Sequence, residues 1–176
     1  MSFQIADEIR VHIRWMVRRD LPEVLQIERE SFEFPWTKYE FLGYCHPKRN
    51  RTYMVAEYND TIVGFIVYEL NKTKIKLINL AVDPRFRRLG VATQMVAKLI
   101  GKLNYQNRKR ITFEIRETNL GAQLFFKTIG FQVIQILKNY HYEMEEDAYL
   151  MQYRFIAEDH EQMASKVGNR INKLVG

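Results

Sequence analysis

Apolar residues change their spacing several times along this chain, and each change indicates a different kind of element. Apolar runs bounded by turn-forming residues are typical of strands, and apolar positions recurring every three or four residues are typical of helices. The pattern predicts strands over residues 12–17, 53–58, 62–70, 74–82, 109–116, 131–137 and 148–155. It predicts helices over residues 20–32, 37–45, 91–103 and 119–129. This order of elements favours a single mixed α/β domain.

Turn and capping residues mark the predicted ends. Asp20, followed by Pro22, is expected to cap the first helix. Thr37 and Asn119 are expected to cap the second and the fourth, and Gly130 is expected to close the fourth. The chain after residue 156 carries apolar residues at helical spacing, so we expect an amphipathic helical tail over residues 157–176. It would dock on the domain, residues 1–156, or on another subunit.

The longest continuous signal runs over residues 77–103. A short apolar run ends at Asp83-Pro84 and predicts a strand buried on both faces. After it, Arg87 and Arg88 precede Gly90, where an amphipathic helix begins. Free N–H groups at a helix start suit a phosphate, and the two arginines add positive charge. A basic loop opening an ordinary helix explains the same residues, and neither a Walker loop nor a dinucleotide-binding glycine pattern is present.

Charge and special residues narrow the possibilities. The net charge of +6 favours an anionic ligand or partner, although it also serves solubility. The single cysteine excludes an intramolecular disulfide and a cysteine-rich metal site, and the four histidines lack ligand-like spacing. We expect no metal, no direct nucleic-acid partner and no membrane partner. Because no secretory signal or membrane span is seen, we expect a cytoplasmic protein.

Several short motifs occur in the order of a known family. They are Phe34-Pro35-Trp36-Thr37, Ala81-Val82-Asp83-Pro84, Glu114-Ile115-Arg116 with Asn119, the run from Leu124 to Phe131, and Asn139-Tyr140 followed by Asp147-Ala148. Over residues 10–155 the chain resembles the GNAT acetyltransferase family. Within that family it is most similar to bacterial enzymes that acetylate the N-terminus of a small-subunit ribosomal protein (the RimI group). The resemblance implies a mixed central sheet of about seven strands, splayed in the middle, with helices on both faces.

The resemblance also implies an acetyl-CoA site across the splayed sheet. The residues expected to bind the cofactor are Leu80, Ala81, Val82, Arg87, Arg88, Leu89, Gly90, Val91, Ala92, Thr93, Asn119 and Phe126. The residues expected to flank an incoming peptide terminus are Phe34, Pro35, Trp36, Tyr140 and Tyr142. For the first three, a hydrophobic plug over the core is the structural alternative.

Acetyl transfer to an amine needs a base, an oxyanion donor and an acid for the departing thiolate. The resemblance makes Glu114 the base, although a strand glutamate paired with Arg116 or another neighbour is the structural alternative. A backbone N–H near Val82 could serve as the oxyanion donor. Phe126 occupies the position at which the family has a tyrosine that protonates the CoA thiolate. A phenylalanine side chain cannot donate a proton. Tyr140 or Tyr142 could replace that tyrosine, and a purely structural or peptide-binding loop is the alternative.

The function implied is acetyl transfer from acetyl-CoA to the N-terminal amine of a protein, with a ribosomal protein as the acceptor. A GNAT enzyme acting on a small amine or a lysine side chain is an alternative. A weakly catalytic acyl-CoA-binding module is a third possibility, which the phenylalanine at position 126 motivates. We expect a monomer or a homodimer.

Overall fold

The computed structural model describes residues 8–44, 50–104, 106–141 and 146–155. Its strands are β1 (His12–Trp15), β2 (Arg51–Tyr58), β3 (Thr61–Leu70), β4 (Ile75–Val82), β5 (Arg110–Arg116), β6 (Gln132–His141) and β7 (Glu146–Arg154). Its helices are α1 (Leu21–Ser31), α2 (Lys38–Tyr44), α3 (Val91–Ile100) and α4 (Leu120–Thr128), with single 3₁₀ turns at Arg18–Asp20 and Pro84–Phe86. The predicted order of elements is confirmed. Tyr142 and the predicted helical tail lie outside the described residues.

The strands form one seven-stranded sheet in the order β1-β2-β3-β4-β5-β7-β6. Neighbouring strands run antiparallel except β4 and β5, which are parallel. Pairing between β4 and β5 is confined to Ile75 with Ile111 and Lys76 with Thr112. Both strands continue past these pairs without pairing to each other, and this is the predicted splay in the middle of the sheet.

Helices cover both faces of the sheet, each over its own apolar core. Residues of α3 and α4, such as Met95 and Phe126, pack in one buried cluster with the side chains of one sheet face. Residues of α1 and α2, such as Val24 and Phe41, pack in a second buried cluster on the other face. Side chains of the central strands contribute alternately to the two clusters, because successive strand residues point to opposite faces of the sheet.

Three of the predicted helix-end assignments are confirmed, and for the fourth, Asp20, the N-cap position at the start of α1 is confirmed but the capping hydrogen bond is not. Thr37 Oγ1 accepts a hydrogen bond from the Glu40 N–H, Asn119 Oδ1 accepts one from the Ala122 N–H, and Gly130 is left-handed with φ 97°. Asp20, however, makes no side-chain capping bond to α1. Its carboxylate accepts the Val17 N–H and two hydrogen bonds from Arg14, because a charged guanidinium is a stronger partner than a helix N–H.

Two strands differ from the prediction. β4 is not buried on both faces, since Lys76, Ile78 and Leu80 are only half-buried beside the splay. β6 continues to His141, so that Asn139 and Tyr140 belong to a strand and not to the connection that follows it. The first difference arises because β4 stops pairing with β5 at the splay. The second arises because β6 pairs with β7, the strand that follows it, as far as His141.

Candidate active site

A cleft of about 180 Å³ lies where β4 and β5 separate. Its walls are Trp36, Arg51, Lys76, Leu77, Ile78 and Glu114. The β4 strand carries an extra residue here, since Val67 and Tyr68 of β3 face Asn79 and Leu77 and leave Ile78 between them. A bulge of this kind re-aims the side chains around it. Strand separation and bulge together make room for a ligand in the middle of the sheet.

The Glu114 carboxylate lies in this cleft with a donor on each oxygen. The Tyr140 hydroxyl donates to Oε2 at 2.5 Å, and Lys76 Nζ lies 2.9 Å from Oε1. The expected alternative partner, Arg116, instead contacts Glu146 and Glu33. The central position of Glu114 therefore brings together β4, β5 and the end of β6.

The pKa values of Glu114 and Tyr140 follow from these contacts. Burial by itself raises the pKa of Glu114, but the hydrogen bonds from Tyr140 and Lys76, with the nearby charges of Lys76 and Lys74, lower it below its usual value. Burial and the bond to Glu114 raise the pKa of Tyr140 to about 12. At neutral pH the site therefore holds an ionised carboxylate beside a protonated phenol.

A buried carboxylate fixes the loop that carries Trp36. Glu28 of α1 is 1% exposed, and it accepts the Trp36 N–H at 2.9 Å and the Asn79 side-chain amide at 3.0 Å. The Trp36 ring packs against Phe41, 5.6 Å between centroids. Burial raises the pKa of Glu28, and the two hydrogen bonds oppose that rise. The loop is thereby held against both α1 and β4.

The predicted peptide-flanking residues Phe34, Pro35 and Trp36 lie in this loop. The Phe34 side chain is 60% exposed, and the Arg116 guanidinium carbon lies 5.8 Å from the centroid of its ring. Pro35 and Trp36 are half-buried. The loop thus presents an aromatic surface next to the cleft and within reach of β5.

The end of β4 directs backbone groups toward the splay. The Asp83 N–H donates to the Val63 carbonyl on β3. Since successive N–H groups of a strand alternate in direction, the Val82 N–H points away from β3. The Val82 carbonyl accepts a hydrogen bond from Arg87 Nε, and Arg87 also donates to Ser31. The Arg87 side chain therefore ties β4 to α1.

The turn before α3 forms a tight, donor-rich corner. Gly90 is left-handed with φ 79°, and a Cβ placed there would lie 3.2 Å from carbon atoms of the Glu8 side chain. Arg88 is also left-handed, with φ 65°. The first intrahelical bond runs from the Gln94 N–H to the Gly90 carbonyl, so the preceding N–H groups of the first turn have no partner within the helix.

The other predicted cofactor residues lie on β4, at the start of α3 and on or next to α4. Leu80, Leu89, Ala92 and Thr93 are half-buried along β4 and the start of α3, and Ala81 and Val91 are buried. Asn119 caps α4 with its side chain. Phe126 is 2% exposed and packs its ring against three aromatic neighbours, Phe113, Phe125 and Phe131. Phe126 is therefore a core side chain, and its expected contact with a cofactor stays a prediction.

Comparison with known proteins agrees with this geometry. The model of the acetyltransferase (GNAT) family matches residues 21–131. The chain belongs to the GNAT family. It is 30% identical over 131 residues to the [ribosomal protein bS18]-alanine N-acetyltransferase of Haemophilus ducreyi, covering 73% of this chain and 88% of that protein.

Two further relatives come from archaea. An uncharacterized N-acetyltransferase, MJ1530 of Methanocaldococcus jannaschii, is 34% identical over 140 residues, covering 79% of this chain and 88% of that protein. The crystal structure of Ard1 from Thermoplasma volcanium superposes with a TM-score of 0.74 at 28% identity, covering 84% of this chain and 99% of that one. The predicted fold and family are confirmed.

This GNAT chain is thus an N-acetyltransferase that uses acetyl-CoA as its acetyl donor. The residues present fit that donor in two respects. The free N–H groups at the start of α3 suit a pyrophosphate, and Gly90 leaves the turn without a side chain. The Val82 N–H, directed away from β3, is available to a group lying in the splay.

Other kinds of site receive no support within the part of the chain that the structure describes. There, no group of three or more histidine, cysteine or carboxylate side chains could hold a metal ion. The helices among the same residues are too short or too polar to cross a membrane.

Sequence reasoning missed four residues that shape the GNAT site. Lys76 contacts Glu114, Arg51 lines the cleft, and Glu28 with Asn79 holds the Trp36 loop. The alternation of Lys74 and Lys76 with apolar residues signals a polar strand face. That this face meets Glu114 follows only from the parallel pairing of β4 with β5.

Proposed function

We propose that this enzyme transfers the acetyl group of acetyl-CoA to the α-amine at the N-terminus of a protein, with a ribosomal protein as the acceptor class. The observation that carries the proposal is the position of Glu114, which lines the cleft together with Trp36 and accepts a hydrogen bond from Tyr140 of β6. A relative that is 30% identical, with 88% of its length covered, is named [ribosomal protein bS18]-alanine N-acetyltransferase.

Glu114 is the proposed general base. An α-ammonium with a pKa near ~8 must lose a proton before it attacks the thioester carbonyl. The ionised carboxylate, held in the cleft by Tyr140 and Lys76, can take that proton directly or through a water molecule. The Val82 N–H is the proposed donor to the oxyanion of the tetrahedral intermediate.

Tyr140 is the proposed acid that protonates the departing CoA thiolate. Its pKa of about 12 keeps the phenol protonated while Glu114 is ionised. Once Glu114 holds the proton of the amine, its negative charge no longer stabilises that phenol, and donation becomes easier. Glu114 then returns the proton to Tyr140, so that one proton moves from the amine to the thiolate, and the second proton of the attacking nitrogen is released to solvent. Tyr142 is the second candidate from the sequence, and it lies outside the described residues.

The proposed acetyl-CoA site follows β4 and the start of α3. The backbone of Leu80, Ala81 and Val82 would hold the pantetheine arm and the thioester, and residues 88–93 would hold the pyrophosphate. We also propose that Asn119, whose side chain caps α4, contacts the cofactor. A ribosomal acceptor also favours a cytoplasmic location, which we include in the proposal.

The test is thiol release from acetyl-CoA with short peptides, assayed beside polyamines, aminoglycosides and peptides with blocked N-termini. We expect turnover of free N-termini only. We expect Glu114→Gln to lower it by about 10²–10⁴-fold while acetyl-CoA binding by calorimetry is retained. Turnover confined to small amines would mean that the acceptor is a small amine and not a protein N-terminus. Acetyl-CoA binding without any turnover would favour the binding module.

A further inference from the structure

One amine of the protein itself lies at the proposed base. Lys76 is the last residue of β4 that pairs with β5 before the two strands separate. Its Nζ lies 2.9 Å from Glu114 Oε1, and its side chain is 32% exposed in the same cleft as Trp36 and Ile78. An acceptor amine must reach this carboxylate to lose its proton.

We propose that Lys76 is an internal acceptor, and that the enzyme acetylates it on Nζ when no peptide occupies the cleft. The inference rests on the proposed function, because it uses Glu114 as the base and acetyl-CoA in the splay. An amine held beside the reacting groups has an effective concentration far above that of a free acceptor. A tethered lysine can therefore compete even where it is a poorer nucleophile than an α-amine.

The step balances without any further reactant. Glu114 takes one proton from the Lys76 ammonium, and the neutral Nζ attacks the thioester carbonyl to form an amide bond. The carbon–sulfur bond breaks, CoA leaves as the thiolate, and the thiolate is protonated with Tyr140 as the donor. The second proton of the attacking nitrogen is released to solvent. The products are Nζ-acetyl-Lys76 and free CoA.

Other lysines provide an internal comparison. Lys138 of β6 also pairs with a carboxylate, that of Asp147, but its side chain is 76% exposed and does not line the cleft that holds Lys76 and Glu114. Acetylation that merely follows exposure should favour Lys138. Acetylation that follows proximity to the base should favour Lys76.

The modification would change the base as well. Acetylation removes the positive charge of a lysine and its ammonium donors. Glu114 would then lose the partner on Oε1, one of the groups that hold its pKa down. An acetylated enzyme should therefore transfer acetyl groups to peptides with an altered pH profile.

The test incubates the full chain with isotopically labelled acetyl-CoA and no acceptor, followed by proteolysis and mass spectrometry. We expect label on Lys76 at least ~10-fold faster than on Lys138, with a rate per enzyme that is independent of enzyme concentration. We expect the rate to fall about 10²-fold or more in Glu114→Gln, and the site to vanish in Lys76→Arg. An N-terminally free peptide substrate should suppress the labelling.

Each of the following outcomes would overturn the inference. Equal labelling in Glu114→Gln, or in the urea-unfolded chain, would mean chemical acetylation by the thioester. Labelling of Lys138 as fast as Lys76 would mean selection by exposure. Peptide turnover without label on Lys76 would reject the internal acceptor alone, whereas the absence of both reactions would reject the proposed function as well.

Discussion

The side-chain amide of Asn79 on β4 donates a hydrogen bond of 3.0 Å to the buried carboxylate of Glu28 on α1. The other oxygen of Glu28 accepts the N–H of Trp36, so one carboxylate joins the strand beside the splay to the loop over the cleft. Such a link positions the loop, and its loss should affect stability and acceptor binding together.

We therefore expect Glu28→Ala to lower the free energy of unfolding by about 2–4 kcal/mol, because two N–H donors lose their acceptor in a buried place. We also expect a higher KM for peptides with a smaller change in kcat. Urea unfolding and peptide kinetics measure these effects. The matched control is Glu30→Ala, an exposed position on the same helix, which should stay within ~0.5 kcal/mol. An unchanged peptide KM in Glu28→Ala would argue against the positioning role.

Tyr140→Phe should lower kcat by about 10²-fold or more, because it removes the proposed acid and a partner of the base. It should affect stability little, since the Tyr140 side chain is 45% exposed. Tyr39→Phe is the control, because Tyr39 is 87% exposed and belongs to α2, whereas Glu114 and Tyr140 belong to β5 and β6.

The titration of the phenol gives a second measurement. The pKa of Tyr140, about 12 in the parent protein, should fall in Glu114→Gln, because the carboxylate that raises it is gone. Alkaline absorbance titration of each protein, with Tyr140→Phe as the reference, measures the change. A pKa that does not move would mean that the Tyr140–Glu114 bond does not form in solution.

Glu8 lies against the turn that is proposed to hold the pyrophosphate, since its side chain would contact a Cβ at Gly90. We expect Glu8→Gln to tighten acetyl-CoA binding by about 2–5-fold, because a carboxylate at a helix start repels an anion. Calorimetric titration measures the dissociation constant, and the gain should shrink at high salt.

Asp60→Asn in the β2–β3 turn is the control for net charge, and it should leave the affinity unchanged. An equal gain in both variants would assign the effect to overall charge and not to the position of Glu8.

The Arg14–Asp20 pair predicts a specific dependence of stability on pH. The hydrogen bond from Arg14 holds the pKa of Asp20 below its usual value, although burial opposes it. Because the folded pKa is lower than the unfolded value of ~3.9, the ionised carboxylate stabilises the fold above that pH. The stabilisation is lost as the pH falls through the folded pKa.

Asp20→Asn should therefore cost about 2–3 kcal/mol at pH ~7 and less at pH ~3, as measured by urea unfolding. Glu57→Gln breaks the other ion pair of Arg14, whose carboxylate is 23% exposed. That change should cost about 1 kcal/mol or less. A cost for Asp20→Asn that is the same at both pH values would contradict the ionised pair.

Local patterns in the sequence determined most elements of this protein. Strand and helix order, the caps at Thr37 and Asn119, the glycine closing α4 and the turn at Gly90 all depend on residues within a few positions of one another. The family motifs added two further predictions, the splay of the sheet and the role of Glu114. At Asp20 the local pattern predicted a capping bond, but the carboxylate bonds instead to Arg14 of β1.

Only the tertiary structure decided what surrounds Glu114. Lys76 reaches it because β4 and β5 are paired in parallel, and Tyr140 reaches it because β6 extends to His141. Glu28 meets Asn79 across α1 and β4. Each of these contacts joins residues far apart in the chain, and spacing along a sequence carries no information about which strands become neighbours. Glu114 could be singled out as the proposed base from the chain, whereas the groups that set its pKa required the folded sheet.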